Sequence, residues 1–151
     1  MSDYRRRVRR YLGRVNYHAR EFLKHMERGD TIQAAEKAWG VVSAFANIYA
    51  ITFHNEEVKR DYRKREMLEE FLNKIKGYDL EVGELIAREY RGHVGTLARA
   101  LGSLHSFFYG GTRIKDEDVE KYLRHSQKLI PILQEYSNII AEYYLKDLVK
   151  E

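Results

Sequence analysis

The chain has 151 residues, of which 33% are charged, with a formal net charge of +4, one proline and no cysteine. That length suits a single domain over residues 1–151 that buries a core without metal or disulfide, and the missing cysteine excludes a disulfide framework and a thiolate zinc site. No apolar run approaches the ~20 residues of a membrane span, and the charged start Met1-Ser2-Asp3-Tyr4-Arg5-Arg6-Arg7 has no signal-peptide core, so a cytoplasmic chain with no membrane contact is expected.

Apolar spacing is helical nearly throughout, which predicts five helical segments. The first spans about Tyr4 to Arg28, between a cap at Ser2 and a stop at Gly29, with a stripe of Tyr4, Val8, Tyr11, Leu12, Val15 and Phe22. The second starts at Asp30, with Gln33 in capping-box position. Ala34, Ala35, Ala38, Trp39, Val42, Phe45, Ala46 and Tyr49 follow at three- and four-residue steps, and so many alanines predict a closely packed neighbour. The third covers roughly Glu56 to Lys76, burying Val58, Tyr62, Leu68, Phe71, Leu72 and Ile75, and Gly77 ends it.

The fourth segment runs from near Asp79 to about Phe108, with Leu80, Ile86, Val94, Leu97, Leu101 and Leu104 inward. It contains Gly83, Gly92, Gly95 and Gly102, each costing up to ~1 kcal/mol in a helix interior. They imply either a kink near Arg91 to Gly95 or the close approach of another backbone. A break at Tyr109-Gly110-Gly111-Thr112 precedes a last helix from Asp116. That helix buries Val119, Leu123, Ile130, Leu133, Tyr136, Ile140, Tyr143 and Leu148, and Pro131 should kink it. Long amphipathic helices on short connections make an all-α, antiparallel up-and-down bundle of four to five helices.

Metal and cofactor signatures are missing. There is no His-Glu-x-x-His, no Glu three residues before a His, no Gly-x-Gly-x-x-Gly and no Walker pattern. His18, Glu21 and His25 share a helix face, which reads as a solvated polar surface, so neither metal nor cofactor is expected. Two basic clusters stand out, Arg5-Arg6-Arg7-Val8-Arg9-Arg10 and Lys59-Arg60 with Arg63-Lys64-Arg65, interleaved with Tyr4, Tyr11, Tyr17 and Tyr62. Arginine holds phosphates bidentately and tyrosine stacks on bases. Arg6, Arg7, Arg9, Arg10 and Arg63 are therefore candidate nucleic-acid contacts, against a solvated face with inward tyrosines.

An Arg followed by a His after a gap of four to six residues suits metal-independent RNA cleavage. The imidazole takes the ribose 2′-hydroxyl proton and the guanidinium stabilises the phosphate. Three pairs fit: Arg20 with His25, Arg88 with His93, and Arg99 with His105. Chance alone supplies about two in so Arg-rich a chain.

The third pair stands in Arg99-Ala-Leu-Gly-Ser-Leu-His105-Ser-Phe-Phe-Tyr109-Gly-Gly, just before an acidic helix start. Here the chain resembles the HEPN superfamily of helical bundles, whose Arg-x(4–6)-His motif precedes the final helix. It is most similar to the archaeal PaREP family, through Asp30-Thr-Ile-Gln33-Ala-Ala-Glu36-Lys37-Ala-Trp39-Gly40 and Leu104-His105-Ser-Phe-Phe108-Tyr109. The resemblance implies a four- or five-helix bundle, often a homodimer, in which two Arg/His motifs meet in a cleft. Some such bundles are ribonucleases; others are inactive or partner small nucleotidyltransferases, as in toxin–antitoxin pairs. Carried over, Arg99 would stabilise phosphate and His105 would be the general acid/base. Two departures weigh towards binding without cleavage. Ala100 follows the motif arginine where active members often have a polar residue, and Tyr109 falls two positions beyond the His-x-Tyr of toxin members. The expectation is a thermophile-like module for RNA or nucleotides, as a homodimer or beside a nucleotidyltransferase. The alternative is a non-catalytic homodimeric scaffold.

Overall fold

The computed structural model describes residues 3–108 and 114–149. They form six helices and no strand: α1 (Asp3–Glu27), α2 (Thr31–His54), α3 (Asp61–Ile75), α4 (Leu80–Tyr90), α5 (Val94–Phe108) and α6 (Asp116–Val149). The expected cap at Ser2 and the turn at Tyr109-Gly110-Gly111-Thr112 lie outside the described residues.

α2 is the central helix because it is apolar nearly all round, and it packs against α1, α3, α5 and α6. Its alanines let α1 lie close along it. At Gly40 the approach is tightest, since an added Cβ would sit 2.8 Å from the His18 ring. The turn between the two helices is as the sequence predicts. Gly29 is left-handed at φ +71°, the Gly29 and Asp30 N–H groups donate to the carbonyls of Met26 and His25, and the Asp30 carboxylate accepts from the Gln33 N–H at 3.2 Å. On the opposite side Gln134 Nε2 donates to Asn16 Oδ1 at 2.9 Å; with Arg9 beside Glu142 and Met26 beside Leu123, α6 runs antiparallel to α1. Phe45, Phe71 and Tyr136 meet edge-on at 4.7 and 5.1 Å, joining α2, α3 and α6.

Two boundaries differ from the sequence reading. The third helix begins at Asp61 rather than Glu56, after α2 has ended at His54. Asn55, left-handed at φ 53°, ends α2, and Asn47, 3% exposed within α2, accepts the Val58 N–H on its Oδ1 at 2.7 Å and holds residues 55–60 as a loop. Val58 is buried, but from that loop. The fourth segment is two helices: Arg91 (φ 50°) and Gly92 (φ +81°) are successive left-handed residues, which end α4 and redirect the chain. Close backbone approach also occurs, at Gly83, where a Cβ would lie 2.6 Å from the Lys76 carbonyl oxygen. α6 is unbroken through the exposed Pro131.

Three side chains expected inside are outside. Leu80, the first residue of α4, is 76% exposed; Tyr62 (51%) turns out from α3; and Tyr143 (61%) yields its inward place to Tyr144.

Candidate functional site

α3 and α5 lie antiparallel. Asp61 meets His105, Arg65 meets Gly102 and Glu69 meets Gly95, so contact passes from one end of α5 to the other. The glycines make the seam shallow enough for long polar side chains. A Cβ at Gly102 would fall 2.8 Å from Arg65 Cδ, and one at Gly95 would fall 2.6 Å from Glu69 Oε1 and 3.6 Å from an Arg99 guanidinium nitrogen.

His105 is held on two sides. Its Nε2 is 3.3 Å from Asp61 Oδ2, and its ring stacks on Trp39 with centroids 5.4 Å apart and planes inclined by 26°. The side chain is 26% exposed. The stack joins the two segments that carry the family resemblance, the Trp39-Gly40 stretch of α2 and the Leu104-His105 stretch of α5. A carboxylate against one imidazole nitrogen fixes ring orientation, which a general base needs and a purely packed histidine does not.

Arg99 is exposed, and its Nη2 donates to Thr96 Oγ1 at 3.3 Å. It lies on the ridge between two depressions. One, of 220 Å³, is lined by Tyr62, Arg65, Glu66, Glu69, Ala98 and Arg99. The other, of 540 Å³, adds Asn73, His93 and Thr96 to Glu69 and Arg99. His105 lines neither. Six residues along a helix is about 9 Å and about 120° of rotation, so Arg99 and His105 present to different sides.

The basic clusters divide. Arg7 is bound by Asp3 and Glu57, and Glu57 also takes the Tyr11 hydroxyl, so hydrogen bonding to Glu57 raises the Arg7 pKa. Arg63 is bound by Glu56 and Glu66, the former again raising its pKa. Arg6 sits 3.6 Å from Asp3, both well exposed. Arg9 and Arg10 are exposed and form no ion pair among the described residues, and Arg9 lines a groove with Arg5, Asn138, Glu142 and Lys146. Of the interleaved tyrosines, Tyr17 and Tyr62 are exposed and Tyr11 is buried.

Sequence reasoning singled out Arg99 and His105 but not Asp61, Trp39 or Glu69 as their neighbours. The signal was present: Asp61, Arg65 and Glu69 recur every four residues, and Gly95 and Gly102 are seven apart, each set on one helix face. The His18, Glu21 and His25 face does not converge. His18 packs on Gly40, where burial and then Lys37 lower its pKa, while His25 faces Asp30 at 3.7 Å. Among the described residues no three His, Asp or Glu side chains group as metal ligands, and no helix is long and apolar enough to cross a membrane.

These features define an all-α bundle whose two distinctive segments meet in a Trp/His stack beside an arginine-bearing helical seam. A model of the archaeal PaREP1/PaREP8 family matches residues 10–130, and the chain belongs to that family. No curated protein and no solved structure matches it.

Proposed function

We propose that the chain binds RNA or nucleotides along the α3–α5 seam through phosphate contacts to Arg99 and Arg65. One observation carries this reading. Two arginines that form no ion pair among the described residues, Arg65 and Arg99, line a single depression with an exposed tyrosine, Tyr62, beside Glu66, which Arg63 holds, and Glu69. Guanidinium groups supply charge-assisted phosphate contacts and an exposed ring supplies stacking. Binding to a fluorescent single-stranded RNA should weaken steeply with salt. Arg65→Ala and Arg99→Ala should each weaken it without loss of fold. Equal affinity of all three proteins would end this reading. Replacing Arg6, Arg7, Arg9 and Arg10 together by Ser should flatten the salt slope modestly, with Arg9 and Arg10 carrying the effect.

Metal-independent cleavage is a further step, for which the Asp61-held imidazole is the support. Within one chain Arg99 and His105 present to different sides, so cleavage needs the two motifs of a homodimer to face one another. RNA loss that survives EDTA and falls about 10²–10⁴-fold in His105→Ala would support it. Intact RNA after incubation with wild type leaves binding alone.

The homodimeric scaffold reading, with a nucleotidyltransferase as the alternative protein partner, has its own observation. Ile139 (52% exposed) and Tyr143 lie one turn apart on the outside of α6. Light scattering at micromolar concentration that found only monomer would remove the dimer, and cleavage with it.

A further inference from the structure

The geometry points to His93, not His105, as the imidazole that works with Arg99, in a pocket for a terminal phosphate of a ribonucleotide chain. This rests on the α3–α5 reading and names the ligand group that one half of the seam takes. The larger depression draws side chains from three places: Glu69 and Asn73 on α3, His93 in the turn after α4, and Thr96 and Arg99 on α5. His93 is exposed, as are Asn73, Thr96 and Arg99.

The donor set fits a phosphomonoester better than a chain-internal diester. Arg99 already spends one N–H on Thr96 Oγ1, which leaves the Thr96 hydroxyl proton to donate outward. Together with the His93 imidazole, the Asn73 amide and the remaining Arg99 N–H groups, this gives donors from four side chains. A diester offers two non-bridging oxygens and one negative charge. A terminal phosphate offers three oxygens and about −1.5 to −2 charge at neutral pH. Donors from four side chains, with Arg99 the cation among them, match the three oxygens of the second.

Glu69 supplies the opposite function. Its Oε1 lies against Gly95, at 2.6 Å from where a Cβ would be, so glycine at 95 makes room for the carboxylate. A carboxylate among phosphate donors repels phosphate but accepts from hydroxyls. Ribose hydroxyls next to the terminal phosphate are the groups that suit it, which makes the pocket selective for RNA ends over DNA ends. Tyr62, across the Arg99 ridge, is available to stack on a following base.

The test uses the full-length chain and fluorescent RNA of one sequence with a 5′-phosphate, a 3′-phosphate or hydroxyls at both ends, plus the DNA counterparts. One phosphorylated RNA end should bind about tenfold or more tighter than the hydroxyl-ended RNA, and the two arms tell which end it is. His93→Ala and Arg99→Ala should abolish that difference, while His105→Ala should retain it. Gly95→Ala displaces only the end of the Glu69 side chain and should fold normally. It should shrink the RNA-over-DNA preference while keeping the phosphate dependence. If all RNAs bind equally well and His93→Ala is silent, the pocket is refuted while the seam reading stands. If no RNA binds in any form, the seam reading fails and the pocket with it.

Discussion

The contact of α2 with α1 and α6 and the contact of α3 with α5 are built from the same kinds of residue to opposite ends. Where α1 meets α2, a glycine admits a ring: Gly40 receives His18, half-buried, its pKa lowered by burial. Along α3 and α5, glycines admit charged chains that stay half-exposed, Arg65 over Gly102 and Glu69 over Gly95. In the first region some buried polar groups are satisfied internally, as Asn47 is by Val58 and Ser126 by the Tyr122 carbonyl, while His18 Nδ1 and the Ser137 hydroxyl are enclosed without a hydrogen-bond partner among the described residues. In the second, Arg65 and Arg99 form no ion pair among the described residues. The first region holds the fold, and the second is free to hold something else.

The largest effect that would sharpen this contrast is in the core. Phe45 is fully buried and edge-on to Phe71, so Phe45→Ala should cost about 3–5 kcal/mol in denaturant unfolding. A smaller loss would mean that α2 is less central than its packing. Next come two backbone-directed changes. Asn47→Ala strands the Val58 N–H and should cost about 1–3 kcal/mol. Gly83→Ala meets the Lys76 carbonyl, which cannot swing aside as a side chain can, and should cost about 1–3 kcal/mol.

A pH effect follows from His125, 5% exposed and sharing a 2.5 Å hydrogen bond with the Tyr90 hydroxyl. Burial lowers its pKa, Lys121, Arg124 and Lys128 lower it further, and Glu89 opposes them. The folded state therefore binds fewer protons than the unfolded chain. Stability should be complete above the ordinary imidazole pKa of ~6.5 and decline as pH falls below it. His18 adds to the same trend. A melting temperature independent of pH between 7.5 and 5 would contradict this, and His125→Leu should flatten the dependence. The smallest effect belongs to the seam: Arg65→Ala and Arg99→Ala should change stability by no more than about 0.5 kcal/mol.

The fold was legible where periodicity and capping agree. The α1–α2 turn, with Gly29, Asp30 and Gln33, needed only local chemistry. The loop at residues 55–60 was missed although Asn55, left-handed at φ 53°, is a residue type that ends helices; Glu56 and Glu57 are good helix residues, and the Asn47 side chain that holds the loop lies eleven positions back. The break at Arg91 was half legible: glycines marked the place, but an arginine at positive φ is not a sequence signal. For the site, resemblance pointed to Arg99 and His105. It could not show that Trp39 stacks on His105, or that Arg99 opens towards His93, since both depend on how α2, α3 and α5 pack.

The most direct test of the account is RNA affinity measured beside stability for Arg99→Ala. The seam reading predicts weaker binding of single-stranded RNA, with a shallower salt dependence, at an unchanged unfolding midpoint. Unchanged affinity, or a loss of affinity that only tracks a loss of fold, would contradict it.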